Sequence, residues 1–457
     1  MTETIAAIST GLSNSGISII RISGPETFQI MDRIFRRKKS GKKLSEQKTH
    51  TIHYGFICDG EEIVDEVLVS VMRAPHTYTA EDVAEINCHG GSLVTKKVLK
   101  TVLKQGVRLA EAGEFTKRAF LNGRIDLSKA EAVMEVIRAK SDLALKNSMA
   151  QLQGTVLKEI SALREIMIHH TAFIEAALDD PEHISLDGFT NELKTSIMEV
   201  RERLYRLIAS AENGRMLKEG IRTVILGRPN VGKSSLMNLF AGEERAIVTD
   251  IAGTTRDTIE ETVTVRGIAL SLIDTAGIRS TEDIVEKIGV EKAKKAAEEA
   301  DLILYLADAT AEVTEEEKEI LSLIADKKSI ILLNKIDLCE TPDTSVLEKL
   351  TGQKVLCISA KEEEGLDALY DTIEAMFFRK ELSYNDDLYI TGERQKQSLQ
   401  SAYDAMGKVL ESIEADMPED FYSIDLMQGY ESLGEITGES VDEDLVNTIF
   451  REFCMGK

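Results

Sequence analysis

The run Arg222-Thr-Val-Ile-Leu-Gly-Arg-Pro-Asn-Val-Gly-Lys-Ser-Ser-Leu-Met-Asn-Leu-Phe240 decides the fold of the surrounding region. An apolar stretch of strand character feeds Gly-x4-Gly-Lys-Ser at Gly227 to Ser234, and a helical stretch follows at once. Backbone N–H groups of such a loop wrap phosphates, and the helix N-terminus behind it adds partial positive charge. Lys233 then neutralises β/γ-phosphate oxygens, and the Ser234 hydroxyl suits Mg²⁺. Taken alone, the loop could be turn glycines and an ordinary helix cap. Three further motifs follow it in order, each after an apolar run: Asp274-Thr-Ala-Gly277, Asn334-Lys-Ile-Asp337 and Ser359-Ala-Lys361. Asp274 suits the metal through water, and the Gly277 amide suits a γ-phosphate. The Asp337 carboxylate can accept from N1–H and the 2-amino group of guanine, a donor pair that adenine lacks. These residues predict a guanine-nucleotide site.

Working outward, residues 220–378 alternate apolar runs with helical stretches, which predicts a doubly wound, mainly parallel sheet of Ras-like type around a P-loop. Before it, 1–122 mixes short β-rich runs, glycine turns and one helical stretch around LVTKKVLKTVLKQG, the pattern of an α+β domain. Residues 123–219 and 379–457 are rich in Ala, Glu, Leu, Lys and Met and predict two helical segments that pack together, with the α/β unit inserted between them. The chain has 457 residues, about three domains' worth, and 43% of them are hydrophobic. Its net charge of −24 opposes indiscriminate binding to nucleic acid or anionic lipid, so any polyanion must meet a local basic site. The longest basic tract, Arg36 to Lys43, reads as a solvated loop or as a contact to RNA. No secretory leader or membrane-length apolar run is evident, so a cytoplasmic protein without membrane attachment is expected. Cys58, Cys88, Cys339, Cys357 and Cys454 show no Cys-x-x-Cys pair, and the histidines show no zinc-ligand spacing.

Hydrolysis needs a device other than the glutamine of Ras, because Ile278 follows Asp-Thr-Ala-Gly. The loop Thr249-Asp-Ile-Ala-Gly-Thr-Thr-Arg-Asp257, with Asn230, offers carbonyls and hydroxyls that could cage a monovalent cation where an arginine finger would act. Glu286 lies in a polar stretch beyond the Asp274 motif; it suits orientation of the attacking water or a plain helix surface.

Four more stretches complete a pattern: Ile19-Ile-Arg-Ile-Ser-Gly24; Glu81-Asp-Val-Ala-Glu85 with His89-Gly-Gly91; Gly113-Glu-Phe-Thr-Lys-Arg-Ala-Phe-Leu-Asn-Gly-Arg124; and Phe453-Cys-Met-Gly-Lys457. With the nucleotide motifs, the chain resembles the tRNA modification GTPase MnmE (TrmE) family from end to end. That resemblance implies a homodimer whose N-terminal domain is similar to folate-binding aminomethyltransferase domains and serves in dimerisation. It also implies an FAD-containing partner of the MnmG (GidA) type, in a heterotetramer or larger complex. Together they place an aminomethyl or carboxymethylaminomethyl group on carbon 5 of the wobble uridine of certain tRNAs. The one-carbon donor would be a 5-formyl or 5,10-methylene tetrahydrofolate, with Mg²⁺ and K⁺ supporting GTP hydrolysis.

Carried over residue by residue, the GTP contacts are Asn230, Val231, Gly232, Lys233, Ser234 and Ser235; Thr249, Asp250, Ile251, Ala252, Gly253, Thr254 and Thr255; Asp274, Thr275, Ala276 and Gly277; Asn334, Lys335 and Asp337; and Ser359, Ala360 and Lys361. The resemblance assigns Mg²⁺ to Ser234 and Thr255, K⁺ to Asn230, Thr249, Ile251 and Thr254, and water positioning to Glu286. Lys233 and Asn230 join Glu286 as catalytic residues, while Arg256 and Asp257 couple loop order to the nucleotide. Folate falls to Arg21, Glu85, Arg124 and Lys457: a carboxylate accepts from the amino-pteridine, and Arg and Lys pair with its glutamate tail. Each has a plainer reading, in which Arg21 pairs with an acid, Glu85 is a surface residue and Lys457 frays. The family often has lysine at the position of Arg124. An aromatic is also expected before Pro181, where Asp180 stands. Cys454 could add to uridine carbon 6 or merely pack in the tail, since no neighbouring His or acid lowers its pKa. A rival function is a ribosome-assembly or RNA-chaperone GTPase, which has no use for a folate pocket.

Overall fold

In the computed structural model the described residues are 3–38, 41–185, 188–243, 261–273, 289–377, 389–439, 441, 443–451, 453 and 456. They divide into two compact units, one of Met1–Met134 with Gly434–Lys457, the other of Glu135–Leu433.

In the first unit, β-branched and apolar residues alternate to give β1 (Ile5–Ile8), β2 (Ile17–Ser23), β3 (Phe35–Arg37), β4 (Thr51–Asp59), β5 (Glu62–Met72), β6 (Val83–His89) and β7 (Arg108–Leu109). Among the described residues they form a seven-stranded sheet in the order β3-β4-β5-β6-β2-β1-β7. The period of two sends Ile20 and Ile22 of β2 into the main core with Ile86, Val69 and Val71, and it sends Arg21 to the opposite face. Helices α1 (Thr27–Ile34), α2 (Ser92–Leu103) and α3 (Glu114–Leu121) complete the α+β layer. Of these only α2 matches the one helical stretch expected from the sequence. Helices α1 and α3 are eight residues long each, little over two turns, too short for a 3.6-residue period to stand out.

The second unit holds the long helices and the nucleotide-type sheet. Helix α4 (Leu127–Arg138) leads into it, followed by α5 (Asp142–Leu152), α6 (Thr155–Asp179) and α7 (Phe189–Glu219). Helix α6 stops at Asp179, with Asp180 as its cap and Pro181 next, where a proline cannot continue the hydrogen-bond ladder. The α/β elements are β8 (Ile221–Leu226), α8 (Lys233–Glu243), β9 (Glu261–Val265), β10 (Ile268–Leu272), α9 (Gly289–Glu299), β11 (Leu302–Asp308), α10 (Glu315–Ile324), β12 (Ser329–Asn334), α11 (Ser345–Thr351), β13 (Val355–Cys357) and α12 (Leu366–Phe377). The described strands order as β13-β12-β11-β8-β10-β9, parallel except for the β9–β10 pair. Two apolar layers cover the faces of this sheet, one built on Leu270, Leu304 and Phe240, the other on Val224, Ile303 and Leu321. Then come α13 (Glu393–Glu414), which packs along α7, and α14 (Glu419–Thr437), so the helices on either side of the sheet domain do meet.

Helix α7 runs into β8 through Gly220, whose φ of +87° suits glycine. Asp301 clamps that joint: its carboxylate takes Arg215 Nη2 of α7 at 2.8 Å and the Arg222 backbone N–H of β8 at 3.0 Å. The last element, α15 (Glu443–Arg451), belongs to the first unit, where Val446, Phe450 and Phe453 pack with Leu127, Ala130 and Met134.

Candidate functional site

The phosphate loop lies between β8 and α8, at the carboxyl end of a central parallel strand. Its shape is set by backbone that few residues can adopt. Gly232 has φ +105°, and a Cβ there would run into the Asn334 side-chain amide; Gly227 has φ +145°, and a Cβ there would meet the Leu306 carbonyl. Asn230 holds φ +61° as a non-glycine residue. The Lys233 ammonium lies over the cradle, donating to the Arg228 carbonyl at 2.8 Å and to the Gly227 carbonyl. Burial pushes its pKa down, so a nearby anion would be the natural counter-charge. Val231 is buried, whereas Asn230, Ser234 and Ser235 line the open mouth. A backbone cradle too tight for a Cβ, with a hydroxyl at the first turn of the helix, fits a nucleotide phosphate with Mg²⁺.

The base-reading motifs converge on the same loop. Asn334, buried at the end of β12, donates from Nδ2 to the Val231 carbonyl at 2.8 Å and accepts the Ala360 N–H at 3.0 Å through Oδ1. One side chain thus pins the phosphate loop to the Ser359–Lys361 loop. Ser359 is buried and donates from Oγ to Asp337 Oδ1 at 2.7 Å, which fixes the exposed carboxylate that would read guanine. The Lys361 ammonium is exposed beside Glu362.

Sequence reasoning missed Asp308, the last residue of β11. Its carboxylate accepts from Lys335 Nζ at 2.7 Å and pairs with Arg228 Nη2 at 3.4 Å, while the Thr310 N–H and hydroxyl hold its other oxygen at 2.9 and 2.7 Å. Burial alone would raise its pKa, but Lys335 and Thr310 outweigh that and hold it well below the usual carboxylate range. Asp308 therefore ties an arginine of the phosphate loop to the lysine of the base motif. A lone acid ending the run LILYLAD carries no spacing signal.

In the first unit, Arg21 and Glu85 face each other in the β2–β6 register. Nε and Nη2 of Arg21 both reach Glu85 Oε1, at 2.9 and 2.8 Å, with the side chains only 14% and 22% exposed. The plain ion-pair reading is thus realised, and Oε2 is left over as an acceptor. Arg21 also lies 4.9 Å from the centre of the Tyr78 ring and Arg124 5.0 Å from it, while Arg124 Nη1 donates to the Tyr78 carbonyl at 2.8 Å. Two of the four folate candidates therefore flank one aromatic ring that no sequence motif marks, and a third, Glu85, is held by one of them. Gly456, next to Lys457, takes its place there too: its carbonyl accepts from Ser9 Oγ at 3.1 Å and Arg21 Nη1 at 3.4 Å. Other residues of the quoted stretches have structural work. Arg118, 1% exposed, pairs with Glu81 and Glu114 at 3.0 Å each.

Thr249, Asp250, Ile251, Ala252, Gly253, Thr254, Thr255, Arg256, Asp257, Asp274, Thr275, Ala276, Gly277, Glu286, Cys454 and Lys457 lie outside the described residues.

The MnmE helical domain matches residues 127–454, and the GTP-binding protein TrmE N-terminus matches residues 4–124. The tRNA modification GTPase MnmE of Lachnoclostridium phytofermentans is 60% identical over 456 residues, covering 100% of both chains. The chain belongs to the tRNA modification GTPase MnmE family. Similar MnmE proteins from Clostridioides difficile and Thermoanaerobacter pseudethanolicus are 48% and 49% identical, each over 100% of this chain and 99% of the relative. The MnmE match spans the phosphate loop, the base motif and the Arg21–Glu85 pair alike. No helix among the described residues is long and apolar enough to cross a membrane.

Proposed function

We propose that this protein hydrolyses GTP to GDP and phosphate and couples that reaction to modification of the wobble uridine of tRNA. The observation that carries the reading is the Asn334 bridge, which gathers the phosphate loop and the base-reading loops together, with Asp337 aligned by Ser359. In this reading Asp337 accepts from the guanine edge, Lys233 neutralises phosphate charge, and Ser234 with Thr255 holds Mg²⁺. Asn230, Thr249, Ile251 and Thr254 hold K⁺. When bound, the two cations supply positive charge to the phosphate oxygens in place of an arginine finger. Glu286 orients the attacking water, and Arg256 and Asp257 transmit loop order.

The second site takes a reduced folate, which when bound supplies the one-carbon unit. Glu85 Oε2 accepts from the amino-pteridine, Arg21 and Arg124 meet carboxylates beside Tyr78, and Lys457 pairs with a carboxylate of the ligand. Family membership supports the remaining assignments: a homodimer, the FAD-containing MnmG-type partner, carbon 5 of the wobble uridine and a cytoplasmic location.

The test is reconstitution of the full-length protein with that partner, GTP, a reduced folate and undermodified tRNA, followed by nucleoside mass spectrometry. The expected result is a carbon-5 substituent on the wobble uridine only when folate and GTP are both present, with faster hydrolysis in K⁺ than in Na⁺ at fixed ionic strength. Modification without folate removes the folate assignment, and equal rates in both salts remove the cation cage. Failure to bind reduced folate in equilibrium dialysis, with GTP turnover intact, turns the reading toward a ribosome-assembly GTPase.

A further inference from the structure

In the first unit several basic side chains near the sheet meet an acid: Arg21 meets Glu85, Arg118 meets Glu81, and Lys104 and Arg108 meet Asp59 and Glu114. A dense cluster of others does not. From Arg33 to Lys48 the chain carries eight basic residues against a single acidic one, Glu46, inside a protein of net charge −24. Among the described residues none of Arg36, Arg37, Lys38, Lys42 or Lys43 is ion-paired with a carboxylate. The nearest acid, Asp32, is already engaged, accepting the Leu44 N–H at 2.7 Å, the Ser45 N–H at 3.2 Å and the Ser45 hydroxyl.

The two arginines have a fixed arrangement. Phe35–Arg37 is β3, the edge strand of the sheet, held to β4 by pairing of Arg36 with Phe56 and Arg37 with Gly55. Arg36 Nη2 donates to the Gly60 carbonyl at 2.6 Å, and Arg37 Nη2 lies 3.1 Å from His53 Nδ1. Between strand and turn lies an open cavity of 380 Å³, lined by Asp32, Phe35, Arg36, Arg37, Lys42 and Lys43. Beside it Tyr54 is 45% exposed, with Lys38 Nζ 5.4 Å from the ring centre. Unpaired cations around a concavity with room for a phosphate group, next to an exposed aromatic ring, match the chemistry of a nucleic-acid backbone with an accessible base.

We propose that this edge of the sheet is a docking surface for tRNA, with Arg36, Arg37, Lys42 and Lys43 contacting backbone phosphates and Tyr54 stacking on a base. The proposal rests on the tRNA-modifying reading and locates its substrate contact. Against a net charge of −24, a local concentration of cations favours this face for the polyanion and so biases the orientation of the bound tRNA.

The test uses full-length protein and an unmodified tRNA transcript, read by fluorescence anisotropy across a salt series. Lys42→Glu/Lys43→Glu should weaken binding about tenfold at 0.1 M salt and lower the slope of log K against log salt by about 1 for each phosphate no longer neutralised. GTP hydrolysis and melting temperature should not change. Lys42→Arg/Lys43→Arg keeps the charge and should keep the affinity, and Tyr54→Ala should weaken binding with no change in salt slope. Wild-type tRNA affinity in the charge-reversed variant overturns the proposal, as does a fall in affinity in the charge-preserving one. Weakened binding of the charge-reversed variant to vesicles of phosphatidylserine and phosphatidylcholine, with tRNA affinity intact, overturns it in favour of a membrane contact. If the unsubstituted protein binds no tRNA, the functional reading falls first; if it binds and the variants bind equally, only the docking surface falls.

Discussion

The phosphate loop and the Arg21–Glu85 cluster differ in what builds them. The first is a contiguous loop whose shape is backbone, fixed by glycines at φ +105° and +145° and pinned by one buried asparagine. The second is made of side chains that come from distant positions: β2 and β6 bring Arg21 beside Glu85, and the tail brings Gly456 to Arg21. A backbone cradle accepts phosphate of any nucleotide and leaves base choice to a separate carboxylate. A side-chain cluster carries its selectivity and its electrostatics in the same groups. The two should therefore fail separately and by different kinds of change.

Gly232→Ala should produce the largest effect. A non-glycine residue at that φ costs about 1–3 kcal/mol, and its Cβ would displace the Asn334 amide that holds the loop. GTP affinity should fall about tenfold to a hundredfold by isothermal titration, with reduced-folate affinity unchanged. An unaltered GTP affinity would show that the loop tolerates a side chain and would break the contrast drawn above.

Asp308→Asn comes next, because it removes the charged acceptor shared by Lys335 and Arg228. A charge-assisted bond of this kind is worth about 1.5–3 kcal/mol. KM for GTP should rise about tenfold while kcat stays within about twofold, since base and phosphate loops lose alignment before chemistry. A fall in kcat at constant KM would place Asp308 in the hydrolytic step instead.

Tyr78→Leu probes the other site. Two guanidinium–ring contacts at about 0.5 kcal/mol each predict a reduced-folate affinity weaker by roughly fivefold, with GTP turnover unaltered. Tyr78→Phe keeps the ring and should behave as the parent; an equal fall in folate affinity in both variants would shift the role to the Tyr78 hydroxyl, which lies 2.8 Å from Thr116 Oγ1.

The smallest effect is electrostatic and confined to the first unit. Burial would raise the pKa of Glu114, but Arg108, the Glu111 N–H and Arg118 hold it below its ordinary value. Since the folded value lies below the unfolded one, this carboxylate stabilises the fold above about pH 4.5, and the contribution disappears as pH falls through the folded value. Glu114→Gln should therefore differ from the parent most at neutral pH and least near pH 3 in denaturant unfolding. A difference that stays constant across that range would mean that packing, not charge, is what Glu114 supplies.

The nucleotide site is legible in the sequence because its parts are short, contiguous and placed at strand ends, where apolar runs announce them. Asn334, Asp337 and Ser359 come together in space as their order implies. The folate candidates are legible only through family resemblance, since nothing local in IIRIS says that Arg21 will face a glutamate 64 positions away. That relation is one of strand register, which hydrophobic alternation constrains but does not number. Tyr78 sits in the stretch Arg73 to Asp82, without periodicity, and Asp308 ends a run whose apolar character hides it. The two short helices α1 and α3 escape for want of length.

Helix α7 and its clamp have a mechanical consequence. Thirty-one residues at 1.5 Å each make a rod of about 46 Å that is continuous with the central strand of the nucleotide-binding sheet. The Asp301 carboxylate grips both sides of the junction, so strand and rod turn together where Gly220 alone would let them swivel. A rotation of about 5° at that pivot would carry the far end of the rod, and the helices packed on it, through about 4 Å. A displacement of this size is set by lever length, so a sub-ångström adjustment beside the nucleotide would arrive at the distant helices amplified.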